Sequence, residues 1–327
     1  MSKRDSFPYG KQYWEYMKKL NMETAKVINE LRWNFVEEIK PKTVLDYGAG
    51  LNLLKDFKPK GTVVDTYDIG DFPIQYTGIR HSHYDLIFLC DVLEHIPDFL
   101  VLDSLFQMTD YVFVTVPILP FGKNLDGWKH LKYQTGEHLH YFTERSLDLF
   151  FQVRGFKLIK SGYPETESGI REDIYSALFR KKSVVFTNGV FDLLHSGHLH
   201  LLRKARKLGD KLIVGINSDD SAKRWKRKPI IGEKLRKELL EAISFVDRVE
   251  IFDEDSPLNL IENIKPDILV KGGDYTLKTV VGADFVRKSG GKVVIIPLLK
   301  GFSTTNLIRQ IKNSSLKRRS FQFQKGG

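Results

Sequence analysis

The chain has 327 residues, 42% of them hydrophobic and 28% charged, with a formal net charge of +10 and a single cysteine. Length suits two ordinary domains, and the composition is that of a soluble globular protein. No apolar run approaches the ~20 residues that cross a bilayer, and Met1-Ser2-Lys3-Arg4-Asp5 lacks the apolar centre of a secretory signal. The lone Cys90 excludes an internal disulfide, so a reducing cytoplasm is the expected compartment and a membrane is not an expected partner.

In chain order, the pattern predicts a helix over 21–39, then a short strand over 42–45 that runs into Asp46-Tyr47-Gly48-Ala49-Gly50. A second strand over 61–67 ends at Asp68, and the apolar run 85–89 reads as a strand buried on both faces. A helix over 97–108 opens with proline, and a strand over 111–116 stops at Pro117. A long loop precedes a helix over 144–153 and two closing strands, 157–160 and 174–179. After Arg180-Lys181-Lys182 the alternation restarts, with strands near 184–187, 211–216, 249–252, 268–270 and 293–296 and helices such as 199–208, 234–242 and 258–264. Two successive βα arrays predict an α/β protein of two doubly wound parallel-sheet (Rossmann-like) domains in tandem, 1–182 and 183–312. Residues 313–327 read as a basic, disordered tail.

The charge is uneven. Residues 1–182 carry 24 Lys+Arg against 25 Asp+Glu, and residues 183–327 carry 27 against 16. Nucleotide phosphates or nucleic acid would account for such an excess, and so would solubility with a basic tail.

Within the basic half, Thr187-Asn188-Gly189-Val190-Phe191-Asp192-Leu193-Leu194-His195-Ser196-Gly197-His198 joins a strand to a helix. A helix N-terminus offers unpaired N–H groups and a positive dipole end. Two imidazoles add donors where charge grows on a phosphoryl group under attack. The same spacing would also serve a metal pair or a solvated helix start.

This run resembles the HxGH signature of the nucleotidylyltransferase superfamily. Leu208 to Asp219, Asp267-Ile268-Leu269-Val270-Lys271-Gly272-Gly273-Asp274-Tyr275 and Gly301-Phe302-Ser303-Thr304-Thr305 resemble further segments of the same family, in the same order. The Lys-Gly-Gly-Asp-Tyr segment, Val281-Gly282-Ala283 and the late Ser-Thr-Thr are most similar to sugar-phosphate adenylyltransferases, in particular the adenylyltransferase half of the bifunctional heptose-phosphate kinase/adenylyltransferases. The resemblance implies transfer of a nucleotidyl group, AMP from ATP, to a heptose-type sugar 1-phosphate, with pyrophosphate released. It implies catalytic roles for His195, His198, Lys204 and Arg236. It implies nucleotide contacts from Asn188, Gly189, Phe191, Asp192, Asn217, Lys271, Gly272, Asp274, Ser303, Thr304 and Thr305, with Lys300 a further cation. Mg²⁺ would arrive on the triphosphate oxygens rather than in a protein cage, and no metal-binding side chains are predicted. A homodimer is implied by the same resemblance. Val190 stands where the family often has cysteine, and the basic insert 223–228 could grip triphosphate or acceptor, or be a solvated loop.

In the first half, Val44-Leu45-Asp46-Tyr47-Gly48-Ala49-Gly50 resembles motif I of class I methyltransferases, which bind S-adenosylmethionine. Tyr84 to Ile96, with its Asp91-Val92-Leu93-Glu94-His95, and His138 to Thr143 resemble the small-molecule and sugar methyltransferases. The resemblance implies a S-adenosylmethionine site at Asp46, Gly48, Gly50, Asp68 and Asp91, with Asp68 on the ribose hydroxyls. Asn52 stands where a third glycine is usual, and the 16 residues between Asp68 and Asp85 are too few for the usual helix and strand. His138 and His140 are candidates for a general base or for hydrogen-bonded loop histidines.

The sequence thus reads as a bifunctional enzyme of nucleotide-sugar or glycan-precursor biosynthesis, its partners being a nucleoside triphosphate and a sugar 1-phosphate. The alternative is cytidylyl transfer to a polyol phosphate of the glycerol 3-phosphate type, beside a non-catalytic methyltransferase-like scaffold. Nucleic acid is not an expected partner, because the basic residues lie inside a nucleotidyl-transfer pattern rather than beside stacking aromatics.

Overall fold

The structure, a computed structural model, describes residues 22–68, 75–120, 122, 128–131, 138–225, 227–273, 279–299 and 301–323, with side chains to residue 313. Internal contacts divide the chain into two units, Met1–Lys181 and Lys182–Gly327.

The first unit is built on six strands: β1 (Thr43–Tyr47), β2 (Val63–Tyr67), β3 (Tyr84–Cys90), β4 (Thr109–Pro117), β5 (Phe156–Gly162) and β6 (Ile174–Lys181), in the order β2-β1-β3-β4-β6-β5. β1 pairs in parallel with both β2 and β3, and β3 with β4. β6, however, is antiparallel to both β4 and β5. The sheet is therefore parallel-dominated, as the doubly wound reading expects, with β6 the one antiparallel strand. Apolar alternation carries no strand direction. The crossover after β4 sets β5 two places out, and the short return through residues 163–173 fills the gap with a strand running the other way. No regular element lies in the described residues 75–83, so β2 is the sheet edge.

Side chains of β1 and β3 alternate between two cores, as a strand of period two must. Leu45, Ile87 and Leu89 pack with α2 (Leu100–Gln107) and α3 (Glu144–Val153), whereas Val44, Leu86 and Phe88 pack with Trp33 and Phe35 of α1 (Met22–Phe35). α3 starts where predicted because Thr143 and Ser146 form a reciprocal capping box. A one-turn helix, α4 (Pro164–Glu167), precedes β6.

The second unit has β7 (Val184–Gly189), β8 (Lys211–Asn217), β9 (Arg248–Phe252), β10 (Ile268–Gly272) and β11 (Lys292–Ile296), in the order β11-β10-β7-β8-β9. Every pair is parallel. Helices α5 (Ser196–Arg206), α6 (Asp219–Trp225), α7 (Glu233–Glu241), α8 (Leu258–Ile264) and α9 (Ala283–Lys288) follow the strands in turn. Leu202, Ala205 and Leu240 cover one face, and Ile261, Ala283 and Val286 the other. The last helix, α10 (Thr304–Phe323), continues past residue 313, and residues 324–327 of the expected tail lie outside the described residues. Among the described residues no helix is long and apolar enough to cross a membrane.

Candidate functional sites

In the second sheet the strand order reverses at β7, flanked by β8 on one side and β10 on the other. Ligands of doubly wound sheets bind beyond the carboxyl ends of the strands at such a point. β7 ends at Asn188-Gly189, and α5 opens with His195 as its N-cap. The Nδ1 of His195 accepts a hydrogen bond from the Gly197 N–H at 3.1 Å, so in the neutral ring the proton is on Nε2. His198 stacks on His195 with ring centroids 3.8 Å apart and 19° between planes. Gly197 is required by this stack: a Cβ there would lie 2.9 Å from the His195 ring and 3.3 Å from the Phe302 carbonyl. That contact also brings the start of α10, where Ser303 Oγ accepts from the Asn306 N–H at 3.1 Å, to the first turn of α5. The N-terminus of α5 and the start of α10 therefore meet beside the imidazoles, and the positive dipole end of each helix points there.

Burial lowers the His195 pKa; burial and the neighbouring His195 push His198 down to about 4, against the pull of Asp192. Both rings are neutral near pH 7 before any anion binds. Burial also lowers Lys271, at the end of β10, to about 8, and its Nζ donates to the Asn188 carbonyl at 3.2 Å. Thr187 Oγ1, Asn188 Oδ1 and His198 Nδ1 are buried polar atoms with no protein partner. Phe191, buried beside His198, sits at φ +50°, a region that a bulky residue enters only at a cost.

Other predicted residues are placed differently. Arg236 is fully buried, and its guanidinium donates to the carbonyls of Ile231, Val190 and Asn217 and to Asp219 Oδ1 at 2.6–2.9 Å. It clamps the loops around the site rather than facing a phosphate, which corrects its catalytic assignment. Asp192 is 4% exposed, and its carboxylate accepts from the Ile230 and Ile231 N–H groups and from Arg227. It thereby ties down a loop that the sequence left open. Arg224 of the basic insert is held by Asp255 and the Asp253 carbonyl. Lys204 is exposed and lies six residues past His198, about 9 Å down the helix, so it is not brought to the pair. Asn217 donates to Ser221 Oγ at 3.0 Å, Gly272 packs against Leu201 and Leu298, and Thr304 and Thr305 open α10. Asp274 and Lys300 lie outside the described residues.

In the first sheet the order reverses at β1, between β2 and β3, and a cavity of about 470 Å³ opens there. It is lined by Asp46, Gly48, Ala49 and Gly50 after β1, by Cys90, Asp91, Glu94 and His95 after β3, and by Arg32, His138 and Arg171. Gly48 has φ +80°, and a Cβ on it would lie 2.5 Å from Val92, so only glycine fits. Asn52 has φ +59°, a conformation that asparagine tolerates, and this explains how it can replace a glycine. Asp68 Oδ2 accepts from the Gly50 N–H at 2.8 Å, bracing the loop from the end of β2.

Four carboxylates and two guanidiniums crowd this cavity and its wall. Arg171 grips Asp91 in a fork at 2.8 and 2.9 Å, and Arg32 reaches Asp91 and Glu165 at 2.9 Å each. These guanidiniums hold the Asp91 carboxylate well below its usual range despite burial. Both Asp91 oxygens are thus engaged within the protein, which braces Asp91 at the cavity lining where the sequence placed it. Burial raises Asp46 to about 7, with Arg32 opposing and Asp68 adding to the rise. Burial, and then Asp91, raise Glu94 to about 8. Arg32, Glu165 and Arg171 carried no local motif, and only the fold assembles them.

Residues 186–310 match the family described as Cytidylyltransferase-like, and residues 13–161 match the family described as Methyltransferase domain. The chain joins a methyltransferase domain to a cytidylyltransferase-like domain. Both are transferase families. Similar curated proteins include the Bifunctional protein HldE of Syntrophotalea carbinolica, 57% identical over 134 residues, or 40% of this chain and 27% of that protein. The Bifunctional protein HldE of Campylobacter fetus subsp. fetus is 54% identical over 163 residues, 49% of this chain and 34% of that one. The chain therefore spans about a third or less of the length of these relatives. Among solved structures, the lipopolysaccharide core biosynthesis protein from Thermoplasma volcanium is 32% identical with a TM-score of 0.32, over 37% of this chain and 99% of that one. The 1,6-didemethyltoxoflavin-N1-methyltransferase of Burkholderia thailandensis is 17% identical with a TM-score of 0.40, over 52% of this chain and 84% of that one.

Proposed function

We propose that the second unit transfers a nucleotidyl group, AMP from ATP, to a sugar 1-phosphate of the heptose type, and that the first unit binds S-adenosylmethionine and methylates a sugar or another small molecule. The observation that carries the first part is the stacked His195–His198 pair, set at a helix N-terminus beyond the central strand β7. In the transfer, an oxygen of the acceptor phosphate bonds to the α-phosphorus. The bond from that phosphorus to the bridging oxygen breaks, and pyrophosphate leaves with the electron pair. Such a displacement needs positioning and donors rather than a protein nucleophile.

His195 Nε2–H is the donor, with Lys271 and the positive dipole ends of α5 and α10 adding positive potential. Because both rings are held neutral by burial, the approach of a polyanion raises their proton affinity as charge builds on the phosphate. Mg²⁺ would arrive with the triphosphate. The adenine and heptose assignments rest on the resemblance carried by residues 270–275 and 301–305 and on the identity with the HldE proteins.

For the first unit, support comes from the cavity at the strand-order reversal and from a Gly48 that admits no side chain. S-adenosylmethionine, when bound, supplies a methyl group on a cationic sulfonium. The Gly48–Gly50 loop would face it with backbone, Asp68 would hold that loop, and the surplus of carboxylates over guanidiniums suits a ligand with positive charge.

Incubation with each of the four triphosphates, a panel of sugar 1-phosphates and glycerol 3-phosphate tests the reading through pyrophosphate release. ATP with a heptose 1-phosphate is the expected pair, and His195→Ala or His198→Ala should lower its rate about 10²–10³-fold. Turnover of CTP with glycerol 3-phosphate instead would overturn the adenylyl assignment. Calorimetry with S-adenosylmethionine tests the first unit, and an absence of binding would reduce that unit to a scaffold.

A further inference from the structure

Glu94, His95 and His138 face the cavity of the first unit, and one ligand-type atom from each lies within 4.8 Å of the other two. Glu94 is 2% exposed, and its Oε2 is buried without a hydrogen-bond partner. The nearest guanidiniums do not serve it: Arg32 and Arg171 are engaged by Asp91 and Glu165. A buried acid with one oxygen left without a partner, beside the ionised Asp91, is costly unless it is protonated or a cation joins it.

The surroundings prepare the histidines for a cation. His138 Nδ1 lies 2.9 Å from the His130 carbonyl. A carbonyl can only accept, so Nδ1 carries the proton and Nε2 is the unprotonated nitrogen of the neutral ring. A backbone carbonyl on the remote nitrogen is the usual support of a metal-bound imidazole, fixing both tautomer and ring orientation. The Glu94 carbonyl accepts from the Leu139 and His140 N–H groups at 2.7 and 3.1 Å, so the His138 loop is pinned to the turn that carries the other two groups. His140, by contrast, is turned away: its Nε2 donates to the Ile96 carbonyl at 2.8 Å and its ring packs on Phe99 at 4.4 Å.

We propose that Glu94, His95 and His138 bind a divalent first-row transition-metal ion of the Zn²⁺ or Mn²⁺ kind, with an open position toward the cavity. Two imidazoles and one carboxylate favour such ions over Mg²⁺, which prefers oxygen ligands and keeps its waters. Donor atoms around a tetrahedral ion at ~2.1 Å stand about 3.4 Å apart. The present spread of up to 4.8 Å therefore closes by at most about 1.4 Å, within the reach of side-chain rotation. Three protein ligands leave a fourth position for water or for an oxygen of whatever occupies the cavity.

The full chain carrying His195→Ala and His198→Ala, which removes the competing imidazole pair, should retain one Zn²⁺ per chain by elemental analysis after chelator stripping, reloading and gel filtration. Adding Glu94→Gln or His138→Gln should weaken binding more than about 100-fold, beyond the 10–100-fold typical of an outer-shell change. The metal-free thermal midpoint shows whether each variant still folds. A second measurement needs no change at the site: titration with Zn²⁺ should shift the imidazole nitrogen resonances of His95 and His138 and leave those of His140 in place. Failure of the chain to retain an ion, or retention undiminished in both variants with the His95 and His138 resonances unmoved, overturns the proposal.

Discussion

The two strand-order reversals of this chain treat charge in opposite ways. Beyond β1, the first unit collects Asp46, Asp91, Glu94 and Glu165 around two guanidiniums among the described residues, Arg32 and Arg171, and part of the negative charge is suppressed by raising carboxyl pKa values. Beyond β7, the second unit gathers helix N-termini, two histidines and Lys271, and it suppresses positive charge by lowering theirs. Burial is the common cause, because it disfavours whichever form is charged. What differs is the ligand each site can relieve itself with: a cation in the first, a polyanion in the second. The same architecture thus yields two sites of opposite polarity from the residues that follow its strands.

The largest effects are expected where a buried guanidinium is removed. Arg236→Met strips the second unit of a fully buried group that satisfies three carbonyls and Asp219, and Arg32→Met leaves Glu165 and Asp91 short of a counter-ion in the first. Each should cost roughly 3–5 kcal/mol in urea unfolding, because uncompensated buried groups remain. Losses below ~1 kcal/mol, the scale of an exposed ion pair, would show that these clamps are dispensable.

A second contrast is in pH. Folded Asp46 and Glu94 keep their protons to about 7 and about 8, whereas unfolded carboxyls lose theirs near 4. In that interval unfolding releases protons, so the first unit loses up to about 1.4 kcal/mol per pH unit for each group as pH rises. His130, lowered by burial, offsets part of this below its unfolded pKa. His198 has the opposite sign: folded at about 4 and unfolded near 6.5, it takes up a proton on unfolding, so the second unit gains stability as pH rises through that window. Hydrogen exchange at β1 and β7 amides, corrected for its intrinsic pH dependence, should therefore slope in opposite directions between pH 4.5 and 6.5, and Asp46→Asn should flatten the β1 slope. Parallel slopes would refute the assignment.

The smallest effect sharpens the same comparison. Lys204 is an exposed cation that the basic surplus seemed to recruit, yet it sits well down α5 from the histidines. Lys204→Ala should change stability by less than about 0.5 kcal/mol, as surface changes usually do, and leave pyrophosphate release within about twofold. A loss comparable to that of His198→Ala would show that the lysine reaches the phosphates after all.

Local chemistry determined a good deal. Strand positions were legible because buried parallel strands are continuous apolar runs, and α3 and α8 fell on the predicted residues, α3 because a cap or a break in periodicity marks its ends. The two turns after β1 and β7 were legible because Gly48 and Gly197 are demanded by contacts within a few tens of residues, with Val92 and with the His195 ring. The direction of β6, the burial of Arg236 and the meeting of Arg32 with Asp91 and Glu165, across 59 and 133 positions, were decided only by tertiary structure. Hydrophobic period and turn chemistry act over a few residues, and so a single sequence displays them. Which charges share a low-dielectric space depends on chain reversals over the whole domain, and no local pattern encodes that.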